Sequence, residues 1–535
     1  MTAIPLRTRS TTALLAIACL AQFMVLLDVA IVNVALPSIR DGLGLSTTGL
    51  QWVVNAYTLT FAGLLLLGGR SADLLGHRRV FVAGTSLFAI ASLGCALATS
   101  GGLLLGARAL QGVAGALLTP SALAVIVANF PPDERGRAVG AWTAWGGIGT
   151  VLGPLIGGQL VDTASWRWIF AINVPIVLIT LFLVLRVVPE GEKRAADAKV
   201  DVIGATLCAL GLGGITYGLI SQPLHGWVAA GVSVPLAVGA ILFVSFVVWE
   251  ARSAHPMLPL ALFKRRNFAV GNIETFSMYA GLGLLFFFLV LFLQQVAGYS
   301  ALEAGTTTIP VTLVMFLFSA RFGALADRHG PRFFMGVGPL VAATGLAFFL
   351  GLDADVDYVS DLLPGLLIFS VGLAMTVAPL TATVLADADE HNAGIASGVN
   401  NAIARVASLI AIAAVGAVVA SAFGSALRDE LGAQARRPEV AKAINEAEKQ
   451  PLARVSVVEN VPPRVRVEVA RGSEDASVKA FHVAIGIATT LVALGGVLGL
   501  VGIVNPRRRV EAVDCAGGQL AGAPIEACRE SVAAA

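Results

Sequence analysis

Charge is what this sequence has least of. In 535 residues there are 36 Lys and Arg and 34 Asp and Glu, so charged residues make up 13%, against roughly 25% in ordinary soluble domains. Most of them sit in a few short clusters and cannot supply a polar shell, which excludes a soluble multidomain enzyme and a disordered protein. Cysteine is scarce too. Cys19, Cys95 and Cys208 lie in apolar runs and Cys515 and Cys528 in a polar tail, which excludes a disulfide framework. The six histidines are scattered and no His-Glu-x-x-His pair occurs, so no metal site and no clustered catalytic group is expected, and the chain does not read as an enzyme. There is no Gly-x-x-x-x-Gly-Lys-Ser/Thr stretch. No phosphate-cradling loop therefore serves direct ATP use, and no cofactor is expected. The net charge of +2 forms no basic face, so nucleic acid is not an expected partner.

What the chain has is apolar length. Hydrophobic residues are 56% of it and mean hydropathy is +0.82. A spanning helix needs about 20 mostly apolar residues. Fourteen such runs are read at 12–36, 50–69, 79–99, 102–128, 138–161, 168–188, 201–221, 228–250, 268–296, 302–326, 332–351, 362–386, 394–422 and 480–504. They are too long and too uniformly apolar for strands. The fold class is therefore an all-α polytopic membrane protein with 14 transmembrane helices. The first run is longer than the roughly 7–15-residue core of a signal peptide and reads as an uncleaved span. With the N-terminus in the cytoplasm, nineteen Lys and Arg fall in short cytoplasmic segments and only Arg40 and Arg167 in short outer loops. Lys and Arg asymmetry of this kind sets orientation, so both termini are expected in the cytoplasm and the chain in the plasma membrane.

A repeat organises the runs. Gly323, Ala326, Asp327, Gly330 and Arg332 match Gly69, Ala72, Asp73, Gly76 and Arg78, each 254 residues later. Pro120, Gly136, Ala138 and Gly140 have a similar echo in Pro379, Gly394, Ala396 and Gly398. Eight runs separate the two Gly-x-x-Ala-Asp copies, which points to two pseudo-symmetric six-helix bundles with two linker helices inserted between them. The expected organisation is a first bundle over 1–188, the two extra helices with flanking loops over 189–267, a second bundle over 268–504 and a cytoplasmic tail over 505–535. The second bundle carries an extracellular insertion at 423–478, helical from about Ala426 to Lys449 and broken at Pro462-Pro463. Parallel halves around a midplane cavity are a transporter architecture, with a small-molecule substrate and the lipid bilayer as partners and a monomer as the expected state.

Four ionisable residues stand out within the runs, where such groups are expensive and functional by default. At about 1.5 Å rise per residue, Asp28 is about 12 Å and Arg108 about 9 Å from the outer end of its span, so their depths match. A carboxylate beside an Arg can alternate between an ion pair and a protonated, cargo-occupied state. Glu274 lies about 9 Å inside the ninth run, as a cavity-facing acid for a proton or a cationic substrate, or as a group reaching back to the interface. Arg405 lies mid-span beside Asn400 and Asn401, and either pairs with Glu274 or meets an anionic group of the substrate, or serves packing or gating. Gln22, Asn33, Asn55, Tyr57 and Gln111 are further polar cavity candidates, and Phe286–Phe288, Trp142 and Trp145 candidates for an apolar lining. Asp73 and Asp327 fall at helix C-termini, where the helix dipole disfavours a carboxylate. Each needs a partner, such as Arg78 or Arg137. Gly76 and Gly330 fit tight bends. Gly149, Gly153 and Gly157 share one face of the fifth run and allow close helix approach, while Pro154 removes a backbone donor and Gly158 follows.

The sequence resembles the major facilitator superfamily, and within it the fourteen-span branch of drug:proton antiporters. The stretches that carry the resemblance are Leu27-Asp28-Val29-Ala30-Ile31-Val32-Asn33-Val34-Ala35-Leu36-Pro37, Gly69 to Arg79, Arg108-Ala109-Leu110-Gln111-Gly112, Gly149 to Gly158, Trp166-Arg167-Trp168-Ile169-Phe170 and Asn173-Val174-Pro175. The resemblance implies that Asp28 and Arg108 take part in proton coupling, that Asp73, Gly76, Arg78 and Arg137 with Asp327, Gly330 and Arg332 latch the cytoplasmic side, and that Gly149, Gly153, Pro154, Gly157 and Gly158 mark an antiporter. The expected activity is proton-coupled export of small amphipathic compounds such as antibiotics or dyes, powered by the proton gradient. One charge crossing 100 mV yields about 2.3 kcal/mol. Sodium coupling, a symporter, an exporter of one metabolite and, remotely, a membrane enzyme or receptor are the alternatives left open.

Overall fold

The computed structural model describes residues 7–130, 132–188, 201–253, 256–386, 393–432 and 463–505, with isolated positions between 435 and 452. Among the described residues every regular element is helical: α1 (Arg7–Leu43), α2 (Thr47–Leu75), α3 (His77–Ala96), α4 (Gly101–Asn129), α5 (Pro132–Thr163), α6 (Trp168–Ala171), α7 (Asn173–Val187), α8 (Val202–His225), α9 (Ala230–Arg252), α10 (Arg266–Gln295), α11 (Ala301–Thr306), α12 (Ile309–His329), α13 (Pro331–Phe348), α14 (Leu363–Ala386), α15 (Ala393–Leu431) and α16 (Pro463–Gly502). Twelve stretches of them are long and apolar enough to cross a membrane. Helices α2 and α5, of 29 and 32 residues, also exceed the roughly 30 Å hydrocarbon core at about 1.5 Å per residue.

Local chemistry sets the ends. The Ser46 hydroxyl accepts from the Gly49 N–H at 3.2 Å and starts α2. Asp201 accepts from the Gly204 N–H at 2.7 Å and starts α8. Ser300 and Glu303 cap each other's backbone at the start of α11. Such caps satisfy N–H groups that the helix itself leaves open. The tenth apolar run differs from expectation. It is two helices, because α11 stops at Thr306 and Pro310, which has no N–H to give, sits in the first turn of α12. The sixth run is likewise divided into α6 and α7.

The helix pairings occur twice. α1 packs on α5, α2 on α4, α3 on α4, α3 on α7 and α1 on α7; the same set returns as α10 on α15, α12 on α14, α13 on α14, α13 on α16 and α10 on α16. Helices α8 and α9 stand outside this pattern. They pack on each other, and α8 also packs on α2 and α15. Gly63 of α2 makes that approach possible: a Cβ there would stand 3.0 Å from the Ala209 Cβ.

The expected boundaries of the 423–478 insertion shift. α15 continues to Leu431 and α16 begins at Pro463, so both flanks of the insertion are extensions of long helices. Most of the segment between them lies outside the described residues.

Candidate functional site

Asp28 sits on α1 and is fully buried. Its Oδ2 accepts from Arg108 Nη1 of α4 at 2.6 Å. Its Oδ1 accepts from Gln111 Nε2 at 2.8 Å and from Asn173 Nδ2 of α7 at 2.9 Å. Arg108 Nη1 also donates to Gln111 Oε1 at 2.7 Å, and its Nε to the Val53 carbonyl of α2 at 3.1 Å. Gln111 Nε2 reaches the Ser92 hydroxyl of α3 at 2.9 Å. Five helices of the first half thus meet at one buried ion pair. Charge-assisted bonds of this length are the strong kind, and the low dielectric makes their loss costly.

Arg108 is also covered by aromatic faces. Its guanidinium carbon lies 4.5 Å from the Tyr57 ring centre and 5.8 Å from that of Phe170. The helix approach beneath it depends on Gly112, where a Cβ would stand 2.2 Å from the Tyr57 carbonyl oxygen.

The expected cavity residues separate. Only Gln111 joins the ion pair through hydrogen bonds, with Tyr57 stacked beneath it. Gln22 Oε1, both amide atoms of Asn55 and the Tyr57 hydroxyl are buried without a hydrogen-bond partner. Asn33 is half-buried on α1. Asn400 Nδ2 donates to Asn272 Oδ1 at 3.1 Å and to Thr275 Oγ1 at 2.7 Å, which ties α15 to α10 within the second half. Asn401 is exposed. The expected apolar lining also divides: Phe287 and Phe288 are buried in a core cluster drawn from both halves, whereas Trp145 is exposed, edge-on to Phe23 at 6.2 Å. Trp142 is half-buried, and its Nε1 has no hydrogen-bond partner.

Glu274 and Arg405 do not pair. Glu274 is fully buried, and neither carboxylate oxygen has a partner. It faces α16, where a Cβ on Gly499 would stand 2.9 Å from its Oε2 and 2.4 Å from the Met335 carbonyl oxygen of α13. Gly495 and Gly499 leave room for it. It is therefore enclosed by α10, α13 and α16, apart from the Asp28 cluster. Arg405 instead turns to α2. Its guanidinium carbon lies 5.2 Å from the Phe61 ring centre.

The two repeat loops share one bend. Gly76 has φ +93° and Gly330 φ +90°, a backbone that L side chains rarely adopt. Their N–H groups donate back to Ala72 and Ala326 at 3.1 and 2.8 Å. The side chains of Asp73, Arg137 and Asp327 lie outside the described residues. Arg78 and Arg332, expected to latch one half to the other, each make a bond within their own half. Arg78 Nη2 donates to the Leu185 carbonyl of α7 at 3.1 Å. Arg332 Nε donates to the Leu500 carbonyl of α16. Cations suit the last carbonyls of a helix, so these contacts satisfy helix C-termini.

The glycine face of α5 serves α1. Cβ atoms on Gly149, Gly153 and Gly157 would meet the Phe23 carbonyl, Ala30 Cβ and Ile31 Cγ1 at 2.6, 2.6 and 2.5 Å. The other two residues of that run, Pro154 and Gly158, meet the other half. A Cβ on Gly158 would stand 2.4 Å from the Leu302 Cα, and one on Gly305 2.6 Å from the Pro154 carbonyl oxygen. Nearby, Asp162 at the end of α5 accepts from the Ala301 and Leu302 N–H groups at 3.2 and 2.9 Å. Arg40 donates to Gln295, and Gln294 to the Val34 carbonyl at 2.9 Å. All of these lie at the end of the bundle opposite Arg78 and Arg332, and they close the seam between halves there.

Sequence reasoning missed Asn173, Ser92, Phe61 and Asp162. Asn173 had a signal, as an amide opening an apolar helix two residues before Pro175. Phe61 and Asp162 had none, because their roles depend on the other half of the chain.

The family model of the Major Facilitator Superfamily matches residues 18–412. The cephamycin export protein CmcT of Amycolatopsis lactamdurans is 39% identical over 74% of this chain and 82% of its own. The puromycin resistance protein pur8 of Streptomyces alboniger is 36% identical over 76% of this chain and 82% of its own. In fold, the chain is similar to a crystal structure of a bacterial homologue of the human lysosomal transporter Spinster, with a TM-score of 0.59 over 95% of this chain and 100% of that one at 17% identity. With its matching helix pairings, its buried intramembrane ion pair and this sequence match, the chain belongs to the Major Facilitator Superfamily.

Proposed function

We propose that the chain is a proton-coupled antiporter that exports small amphipathic compounds by alternating access. The observation that carries this reading is the buried Asp28–Arg108 pair. It places one carboxylate and one fixed cation in the interior of the first half, each also bonded to Gln111. In one state Asp28 is ionised and paired; in the other it holds the proton. Cargo leaving and proton entering exchange through that carboxyl group. The names of the two relatives, one for cephamycin export and one for puromycin resistance, support the cargo class.

In this reading fourteen helices cross a plasma membrane as six plus two plus six, with both termini in the cytoplasm and a monomer as the working unit. The recurring helix pairings support the two sixes. The closed seam at Asp162, Arg40 and Gln294 is then the outer gate in its shut position, and cargo enters from the cytoplasmic end. The Asp73–Arg137 side of the repeat loops and Asp327 close that end in the opposite state. Gln22, Asn55 and Tyr57 offer unpartnered polar atoms to cargo. Glu274 is a second protonatable group confined to the second half, and no cofactor is needed.

Inverted membrane vesicles with a preset acid interior test the reading. Adding an exported compound releases protons from vesicles carrying the wild-type chain, and Asp28→Asn abolishes this while still inserting. Normal coupling in that variant would overturn the assignment, and a panel in which no compound releases protons would overturn the antiport.

A further inference from the structure

The sequence leaves one acid and one base in the spans of the second half, which is compatible with cationic, zwitterionic or anionic cargo. The structure separates them. Glu274 is enclosed among α10, α13 and α16. Arg405 is half-buried on the face of α15 turned to α2. Among the described residues it has no carboxylate partner.

Its aromatic contact comes from the other half. The guanidinium carbon lies 5.2 Å from the Phe61 ring centre, and Phe61 stacks on Tyr57 at 5.7 Å with the planes 18° apart. Tyr57 in turn carries Arg108 at 4.5 Å on its ring. Phe61 faces inward. Trp52, Leu59 and Gly63 of α2 meet α8, and Phe61 lies on roughly the opposite side of the helix from Leu59 and Gly63. A cation held at the seam within the membrane without an anion is costly, and a ring face offsets only part of that cost.

We infer that Arg405, seated on Phe61 between the two halves, is a specificity-determining residue that takes the carboxylate or sulfonate of an amphipathic anion. The guanidinium takes the charge, and the buried Phe61 ring holds the guanidinium in place from behind. The site admits anions by attraction and rejects cations by repulsion. Arg108 stands at the other end of the same aromatic stack, so in this arrangement of the halves the cargo site borders the proton site. This inference deepens the antiport reading and rests on it for the direction of transport.

Two probes that differ only in a sulfonate test it: 8-anilinonaphthalene-1-sulfonate and N-phenyl-1-naphthylamine. Binding is measured on the full chain in bilayer nanodiscs, with empty nanodiscs subtracted. The wild type is expected to bind the sulfonate at least about tenfold more tightly, a difference of ~1.4 kcal/mol. Arg405→Gln brings the two probes to equal affinity without changing that of N-phenyl-1-naphthylamine, and Arg405→Lys keeps part of the preference. Should Arg405→Gln fail to fold, Phe61→Leu serves instead and reduces the preference roughly two- to tenfold. No preference in the wild type, a preference that survives Arg405→Gln, or an equal loss of both probes overturns the inference. Asp28→Asn retains the sulfonate preference, and a wild-type chain that prefers the sulfonate yet moves no proton contradicts the antiport reading alone.

Discussion

Arg108 on α4 donates to Asp28 on α1 at 2.6 Å, and both side chains are shut away from solvent, at 1% and 0% exposure. Neither helix could bury its charge alone. Replacing one partner leaves the other buried and unpaired, which costs about 3–5 kcal/mol. Arg108→Ala is therefore expected to lower the thermal unfolding midpoint in detergent severely. Arg108→Lys does not restore it, because one ammonium cannot reach Val53, Asp28 and Gln111 in the geometry of a guanidinium. The double variant Asp28→Asn/Arg108→Gln loses less than the two single changes together. Additivity of these changes to within about 0.5 kcal/mol would show that the pair is not a unit.

Asp162 caps α11 from across the seam, using both carboxylate oxygens. Asp162→Ala removes that cap, worth about 0.5–2 kcal/mol, only when the outer seam is shut. The expected result is faster reaction of a cysteine placed at Gln294 with an impermeant thiol reagent applied from outside, by about two- to thirtyfold. An unchanged rate would remove Asp162 from the gate.

Gly158 offers a sharper probe of the same seam. Its Cβ position lies 2.4 Å from the Leu302 Cα, so backbone rather than a movable side chain blocks a larger residue. Gly158→Leu is expected to hold the outer seam apart and abolish transport, at a cost to stability of about 1–3 kcal/mol. Cysteine labelling at Gln294 rises as transport falls. Full transport with unchanged labelling would contradict the role given to this helix.

The sequence carried the helices, the repeat and the Asp28–Arg108 pair because each is local or periodic. An apolar run marks a span, and the shared depth of two charges can be counted in residues. It misplaced what depends on rotation about a helix axis. Glu274 and Arg405 could be read as a pair by depth, yet one faces α16 and the other α2. The Gly149–Gly158 run was legible as a close-packing face, but which neighbour each glycine meets was not. Gly149, Gly153 and Gly157 meet α1, whereas Gly158 meets α11. Arg78 and Arg332 were legible as a repeated pair, and their targets, Leu185 and Leu500, lie too far along the chain for spacing to show.

Those two arginines give a prediction about symmetry. Arg78→Ala and Arg332→Ala each remove a side-chain bond to a helix-end carbonyl, worth about 0.5–1.5 kcal/mol. The losses in thermal stability add, because the two bonds lie in different halves of the chain, and labelling at the outer seam stays unchanged. A strong interaction between the two changes would mean that the arginines communicate across the halves.

The central claim is that the Asp28 carboxyl group gives up a proton when cargo binds. Purified chain in weakly buffered detergent solution, titrated with an exported compound while pH is followed, measures this directly. The account predicts that cargo binding to the wild type releases protons, up to about one per cargo molecule where the carboxyl is fully protonated beforehand. It also predicts none from an Asp28→Asn variant that still binds the compound. Equal proton release from that variant, or cargo binding by the wild type with no proton released at any pH, would contradict it.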